Sequence, residues 1–449
     1  MRIDLEKLQK EYFPAALESI KAIIKIPSVR GEKAPQTPFG ENTKKVLDFA
    51  INLAKELGFK AYQDPENRYG YVEYGSSEKI FAILGHLDVV PTGDLTKWEF
   101  EPFNPQVKDG KLLGRGSFDD KGPTIINLYA LKYLKDHGFE PDYRIRLIFG
   151  LTEETDWASI TSYMETEGIP DLGYTPDGEF PVVYAEKGIL NVDIIAGGEN
   201  FILIGGEAYN SVNDVVKYQG PEMSKIEAIL TSENIENYVE KDMLIIKGKS
   251  SHGSLPECGV NAALEALNAI AHVNPTSKIA KFVEEHLYRD YSFSKIFPAM
   301  RDESGNLTVN NGIVEINHDK TRITLNLRVP ITYCQEDVVK PLTVELAKFD
   351  LQLIDLKWEN PVHMSKDSPM IQNIMQVYRE VTGDHNAQPL AIGGGTYAKA
   401  MPKCVAFGAE FDIEESTMHA YNEYVKIDDL RKMLEIYTKS IPLLTKINK

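Results

Sequence analysis

KIFAILGHLDVV, Lys79–Val90, is a short and almost unbroken apolar run that ends in polar residues. A strand covered on both faces reads this way, because neither side of the sheet calls for a polar side chain. Downstream, Asp120–Lys135 carries Ile125, Leu128, Leu131 and Leu134 along one helical stripe, and Gly138 closes it. Arg144–Leu151 (RIRLIFGL) is a second apolar strand with acidic residues directly behind it. Strand, helix and strand, with polar chemistry after the strands' C-terminal ends, is the pattern of an open α/β sheet. Upstream, Leu8, Phe13, Leu17, Ile20 and Ile24 predict a helix over Leu5–Ile24 that stops before Pro27, and a second helix covers Asn42–Leu57 and ends at Gly58.

The character changes after Lys187. Ile189–Ile195, Ala228–Thr231, Met243–Lys247 and Ile323–Val329 read as strands with partial alternation, and Val260–Ile270 and Lys278–Glu285 as helices. This suits an α+β insertion with a helix-covered antiparallel sheet. From Pro369 the helix–strand alternation returns: Met370–Thr382 is helical, Cys404–Gly408 is a short strand, and a last helix over Ile427–Ser440 has Pro442 just beyond it. The expected fold is therefore α/β, one open mixed-sheet domain in two parts, 1–186 and 361–449, interrupted by an α+β insertion at 187–360.

Composition narrows the partners. With 449 residues, two or three structural units are expected. Lys and Arg number 49 against 67 Asp and Glu, a net charge of −18, which argues against general binding to nucleic acid or an anionic membrane. An acidic cleft can instead attract metal cations. The three cysteines, Cys258, Cys334 and Cys404, are far apart and form no CxxC pattern, so a reducing, cytoplasmic setting is expected. The opening residues lack a signal-peptide apolar core, and no apolar run approaches the roughly 18–20 residues that span a bilayer.

Four clusters carry candidate chemistry. In GHLDVVP (85–91), His86 and Asp88 share a strand face, so His86 can ligate a metal while Asp88 orients an imidazole; a polar strand end before a turn at Pro91 would look the same. In GRGSFDDKG (114–122), Asp119 and Asp120 precede a helix; one Asp can simply cap it, but two beside glycines suit a bridging carboxylate, Asp119 better than Asp120. The order of a phosphate-binding P-loop is absent. Glu153 and Glu154, after the second strand, repel each other unless a cation or solvent compensates; one can bind metal and the other act as a base. Asp177 in YTPDGEF and His419 in MHAYNE are bland alone. The other histidines His137, His272, His286, His318, His363 and His385 have no gathered ligands near them in sequence. Imidazoles and carboxylates without thiolates suit Zn²⁺, Mn²⁺ or Co²⁺.

GHLDVVP, GRGSFDDKG and TEETDW (152–157), in that order and spacing, resemble the aminoacylase/carboxypeptidase family of co-catalytic zinc peptidases. GYTPDGEFPVVYAEKG (173–188) is most similar to its bacterial dipeptidase branch, the PepV-like enzymes related to carnosinase-type and Xaa-His dipeptidases. The resemblance implies a zinc-peptidase-like catalytic domain with an inserted lid, and two divalent ions, Zn²⁺ or Mn²⁺ with Co²⁺ as a third option. His86 and Asp177 would bind one ion, Glu154 and His419 the other, and Asp119 would bridge them. Asp88 would orient His86, and Glu153 would be the general acid/base. In the insertion, His252 (SSHGS) would reach the substrate oxyanion, Arg328 (NLRVP) would grip the substrate carboxylate, and Asn210 (GGEAYN) would contact substrate. The loop Gly393-Gly394-Gly395-Thr396 would receive that carboxylate on backbone N–H groups. Read locally, SSHGS can also be a polar surface turn, and Arg328 a strand arginine paired with a surface acid. The sequence departs from the family in carrying Thr152 where an Asp usually precedes the two glutamates.

The expected function is a metal-dependent dipeptidase for short peptides with a free C-terminal carboxylate. The rivals are an N-acyl amino acid or succinyl-diaminopimelate-type deacylase, and a non-catalytic metal- or peptide-binding protein. A doubled lid, as in the resembling dipeptidases, implies a self-sufficient monomer, a dimer being left open, with hinges near Lys187 and Asn360.

Overall fold

The computed structural model describes residues 2–446. The chain divides into two compact units: one runs from the N-terminus to Tyr184 and takes in Val362–Leu390 and the chain from Thr396 onward; the other is Ala185–Pro361 with Ala391–Gly395.

The first unit is built on a mixed sheet. At its centre the buried strand Ile80–His86 lies parallel to Arg144–Gly150 on one side and to Leu172–Thr175 on the other. Cys404–Ala406 extends the sheet parallel to Leu172–Thr175, and Gly70–Tyr74 and Lys60–Gln63 extend the opposite side antiparallel. Helix Lys121–Asp136 packs on the central strand, and the helices Phe13–Ile24 and Ile427–Leu444 pack on that helix. Gly85 explains how close this approach is: a Cβ there would fall 2.0 Å from the Thr124 hydroxyl oxygen. The strands are apolar on both faces because both are covered.

The second unit is an antiparallel sheet of eight strands in the order Asn237–Glu240, Met243–Lys247, Val215–Gln219, Ile202–Gly205, Thr308–Ile316, Lys320–Val329, Gly188–Gly197, Gln352–Glu359. Helices Met223–Ser232, Ala262–Val273 and Lys278–His286 help bury its core, where Leu190, Val216, Leu267, Phe282 and Leu325 are among the enclosed side chains.

Two expectations are corrected. Ala228–Thr231 is not a strand but the end of helix Met223–Ser232, whose Ile226 and Leu230, four residues apart, face the core. A run of Ile-Leu-Thr favours extended backbone locally, and packing against the next helix overrides that preference. The last helix also runs through Pro442 to Leu444. Proline there removes one i→i−4 hydrogen bond and crowds the Thr438 carbonyl, a cost confined to the last turn, so the helix need not stop before it. Among the described residues no helix is long and apolar enough to cross a membrane.

Candidate metal centre

The loops at the C-terminal ends of the first unit's parallel strands converge. His86 is the last residue of its strand and pairs in register with Gly150, so Glu153 and Glu154 follow just beyond on the neighbouring strand. Asp177 follows Leu172–Thr175, Asp119 precedes helix Lys121–Asp136, and His419 sits in left-handed backbone (φ 58°) before strand Tyr424–Lys426. Ligand atoms of His86, Asp119 and Asp177 lie within 4.8 Å of one another, as do those of Asp119, Glu154 and His419, and those of His86, Glu153 and Glu154. The two oxygens of Asp119 face different histidines. Oδ1 is 3.0 Å from His86 Nε2, and Oδ2 is 2.9 Å from His419 Nε2. Asp177 Oδ2 stands 3.7 Å from His86 Nε2, and Glu154 Oε2 stands 3.0 Å from His419 Nε2.

This arrangement fits cations. The fully buried Nε2 of His86 has the carboxylate oxygens of Asp119 and Asp177 as neighbours, and the buried Oε1 of Glu154 makes no hydrogen bond. Such an orphaned oxygen carries a desolvation penalty that a coordinated ion removes. Carboxylates outnumber the two imidazoles here, so the metal-free chain must borrow protons. Burial pushes the Glu154 carboxyl up to about 8, with Asp119 adding to the rise and His419 opposing it. Burial alone would lower His419, but hydrogen bonds to Asp119 and Glu154 outweigh it and push the imidazole up to about 11. His86 is likewise raised against its burial by Asp119 and Asp88. Burial alone would raise Asp119, but His419 and His86 outweigh it and hold the carboxyl well below the ordinary range. Protons here occupy places where divalent charge would serve better.

Asp88 supports the centre in two ways. Its backbone carbonyl lies 3.1 Å from His86 Nδ1, nearer than its carboxylate at 3.5 Å. The carboxylate oxygens accept the backbone N–H groups of Glu153 and Glu154, each at 3.2 Å, so Asp88 also sets the turn that carries both glutamates. Thr152 is buried and accepts the N–H of Ser159 at 3.0 Å through its hydroxyl, bracing the start of helix Ala158–Glu167. Burial, then the carboxylates of Asp177, Glu154 and Asp119, hold Glu153 well above the ordinary glutamate range, against His86.

The residues expected to touch substrate gather in the second unit, apart from Thr396, whose hydroxyl caps the short turn Tyr397–Ala400 in the first. Arg328 is 3% exposed; its Nε donates to Asn326 Oδ1 at 2.8 Å and its Nη1 to the Gly393 carbonyl at 3.1 Å. Asn326 is held in turn by Asn191 at 2.7 Å. Among the described residues no carboxylate lies within ion-pair distance of Arg328, and burial lowers its guanidinium to about 10. Neither Gly393 nor Gly394 takes left-handed φ. A Cβ on Gly393 would meet Ser254, and the Gly253 N–H donates to the Asn210 carbonyl at 2.7 Å. Loop 252–254, Asn210, Gly393 and Arg328 thus belong to one neighbourhood. The backbone N–H of Ser254 approaches His252 Nδ1 at 3.3 Å, and its hydroxyl at 2.6 Å. A backbone N–H can only donate, so the tautomer that suits this contact has Nδ1 accepting and the ring proton on Nε2.

Reading the sequence missed Glu423 and Arg115, a buried ion pair with Nη1–Oε2 at 2.7 Å, and Tyr397, whose ring stands edge-on to His86. The only signal for Glu423 was its place four residues after His419.

The sequence model of peptidase family M20/M25/M40 matches residues 82–442. A relative from Staphylococcus saprophyticus, named "Putative dipeptidase SSP1012", is 35% identical, with 96% of this chain and 97% of that protein covered. One from Staphylococcus haemolyticus, of the same class name, is 33% identical over 97% of this chain and 98% of its own. Among solved structures, the Saccharomyces cerevisiae di-peptidase Dug1p superposes with a TM-score of 0.60 at 14% identity, covering 99% of this chain and 98% of its own. Human carnosine dipeptidase 1 gives 0.58 at 14% identity, covering 99% and 100%. At that identity the structures show a shared fold.

Proposed function

The chain belongs to peptidase family M20/M25/M40 and is a metallopeptidase-type hydrolase; from that premise we propose that it is a two-metal dipeptidase acting on short peptides with a free C-terminal carboxylate. The observation that carries the reading is Asp119, whose two oxygens face His86 and His419 in two ligand groups sharing that carboxylate. His86 and Asp177 would hold one divalent ion, Glu154 and His419 the other, and Asp119 both. Bound there, Zn²⁺, Mn²⁺ or Co²⁺ would supply Lewis-acid polarisation of the scissile carbonyl and acidify the attacking water.

The chain's own groups do the rest. Glu153 takes the proton of the attacking water and returns it to the leaving amine. His252, with its proton on Nε2, donates to the oxygen that becomes negative. Arg328, a buried cation held at two of its nitrogens by neutral acceptors, keeps its charge for the substrate carboxylate. Asn210 and the Gly393–Thr396 loop line that end of the substrate. Cys258 and Cys334, both exposed and outside any disulfide, support a reducing, cytoplasmic setting.

The test is a panel assayed with each metal supplied: free dipeptides, the same dipeptides amidated at the C-terminus, and N-acyl amino acids. Free dipeptides should turn over and amidated ones should not, and Glu153→Ala should abolish turnover while metal content stays near wild type. Preference for N-acyl amino acids, equal turnover of amidated peptides, or a fully active Glu153→Ala chain would overturn the reading.

A further inference from the structure

The loop that carries Asp119 and the loop that carries His419 are joined by one buried side chain from the far end of the sequence. Glu423 is fully enclosed. Its Oε1 accepts the backbone N–H groups of Gly116 at 3.0 Å, Phe118 at 3.0 Å and Asp119 at 3.2 Å. Its Oε2 accepts Arg115 Nη1 at 2.7 Å. The lacing continues on both sides: the Glu423 carbonyl accepts the Gly114 N–H at 3.0 Å, and Arg115 Nη2 donates to the carbonyl of Ala420 at 3.1 Å. Asp119 stands at the end of one laced segment, and His419 immediately precedes the other.

The chemistry is specific to a carboxylate. Three N–H groups converge on one oxygen while a guanidinium holds the second, and an amide cannot accept at both ends. The partner matters equally, since Arg115 neutralises Glu423 and the clamp adds no net charge beside a site already crowded with carboxylates. Ligands must be held to within about 0.5 Å for a metal site to keep its geometry.

We propose that Glu423, held by Arg115, is a positioning residue of the metal centre: it fixes the Asp119 loop against the His419 loop and thereby sets the affinity for the cation pair. This rests on the two-metal reading above and adds a residue outside its ligand set.

The test is calorimetric titration of the metal-free full chain with Zn²⁺ or Mn²⁺ alone, with no peptide present. Wild type should take up two cations; if it does not, the two-metal reading itself fails and the clamp with it. With two sites established, Glu423→Gln and Glu423→Asp should bind about 10–100-fold more weakly, the range for residues that orient metal ligands from behind. The Asp variant keeps the charge but is one methylene too short to span both partners. Arg146→Gln serves as a stability control, because Arg146 pairs with Glu73 and Glu167 away from both loops; it should lower the melting temperature and leave affinity unchanged. The double variant Arg115→Met with Glu423→Gln restores charge balance without the clamp and should stay weak. The proposal is overturned if the single variants bind like wild type, if the control weakens binding equally, or if the double variant recovers wild-type affinity. Failure of both Glu423 variants to fold, read by circular dichroism, would overturn it in favour of a purely structural role.

Discussion

His86 and His419 each face a carboxylate where a metal ligand needs a bare nitrogen, and this sets the proton balance of loading. Both imidazoles are raised above their ordinary value, His419 to about 11, so near neutral pH the metal-free chain holds protons on them. A ligating imidazole must be neutral, so uptake of cations has to expel those protons. The sign follows: affinity falls as pH is lowered and rises as it increases, up to the raised values. Calorimetry at about pH 7.5 in buffers of different ionisation heat should show net proton release on loading; uptake without release would contradict the assigned ligands. At this scale the sequence was readable where chemistry lies next to an apolar strand. His86, Asp88, Glu153 and Glu154 stand out because polar side chains at the end of a buried run are costly without a purpose. Glu423 and Arg115 were invisible for a different reason. Each looks like a surface charge in an acidic chain, and only the fold brings together residues 308 positions apart.

Among elements, strand Ile80–His86 and helix Lys121–Asp136 form the pair on which the site depends, since one ends in His86 and the other begins just after Asp119. Gly85 permits their approach; a methyl there meets Thr124 at 2.0 Å and Asp120 Oδ2 at 3.2 Å. Thr124 in turn donates to Asp120 Oδ2 at 2.8 Å, the same oxygen that accepts the His86 N–H at 3.1 Å. Gly85→Ala should therefore force the helix start away from the strand and destabilise the chain by about 1–3 kcal/mol, the range for overpacking a filled core. Urea unfolding measures this, and an unchanged midpoint would mean that the helix can shift freely. Both elements were legible because their apolar periodicities differ cleanly, near 2 or continuous for the strand and 3.6 for the helix. Met223–Ser232 was misread because its local residues favour extended backbone and only the neighbouring helix decides otherwise. The edge strand Asn237–Glu240, exposed along most of its length, has no apolar alternation to reveal it.

For the whole molecule, the change of character after Lys187 reflects a real difference in architecture, a mixed sheet with parallel strands at its centre in one unit and an all-antiparallel sheet with its own core in the other. What could not be read from sequence is that Ala391–Gly395 counts with the second unit, since a short glycine-rich run carries no periodicity and is placed by Arg328 reaching the Gly393 carbonyl. The chain passes between its units at 184–185, 361–362, 390–391 and 395–396. The metal ligands lie in one unit, and His252, Asn210 and Arg328 in the other. The metal ligands and His252 belong to the same chain, so an intramolecular histidine needs no second molecule. Each chain should therefore supply its own histidine and act as a self-sufficient monomer. A His252→Ala chain keeps its metal ligands, and a Glu154→Ala chain keeps its histidine. Mixed at equal concentration, they should show no more activity than the sum of the two alone. Activity that returns on mixing, and rises with the square of protein concentration, would show the histidine passing between chains and would make the working unit a dimer.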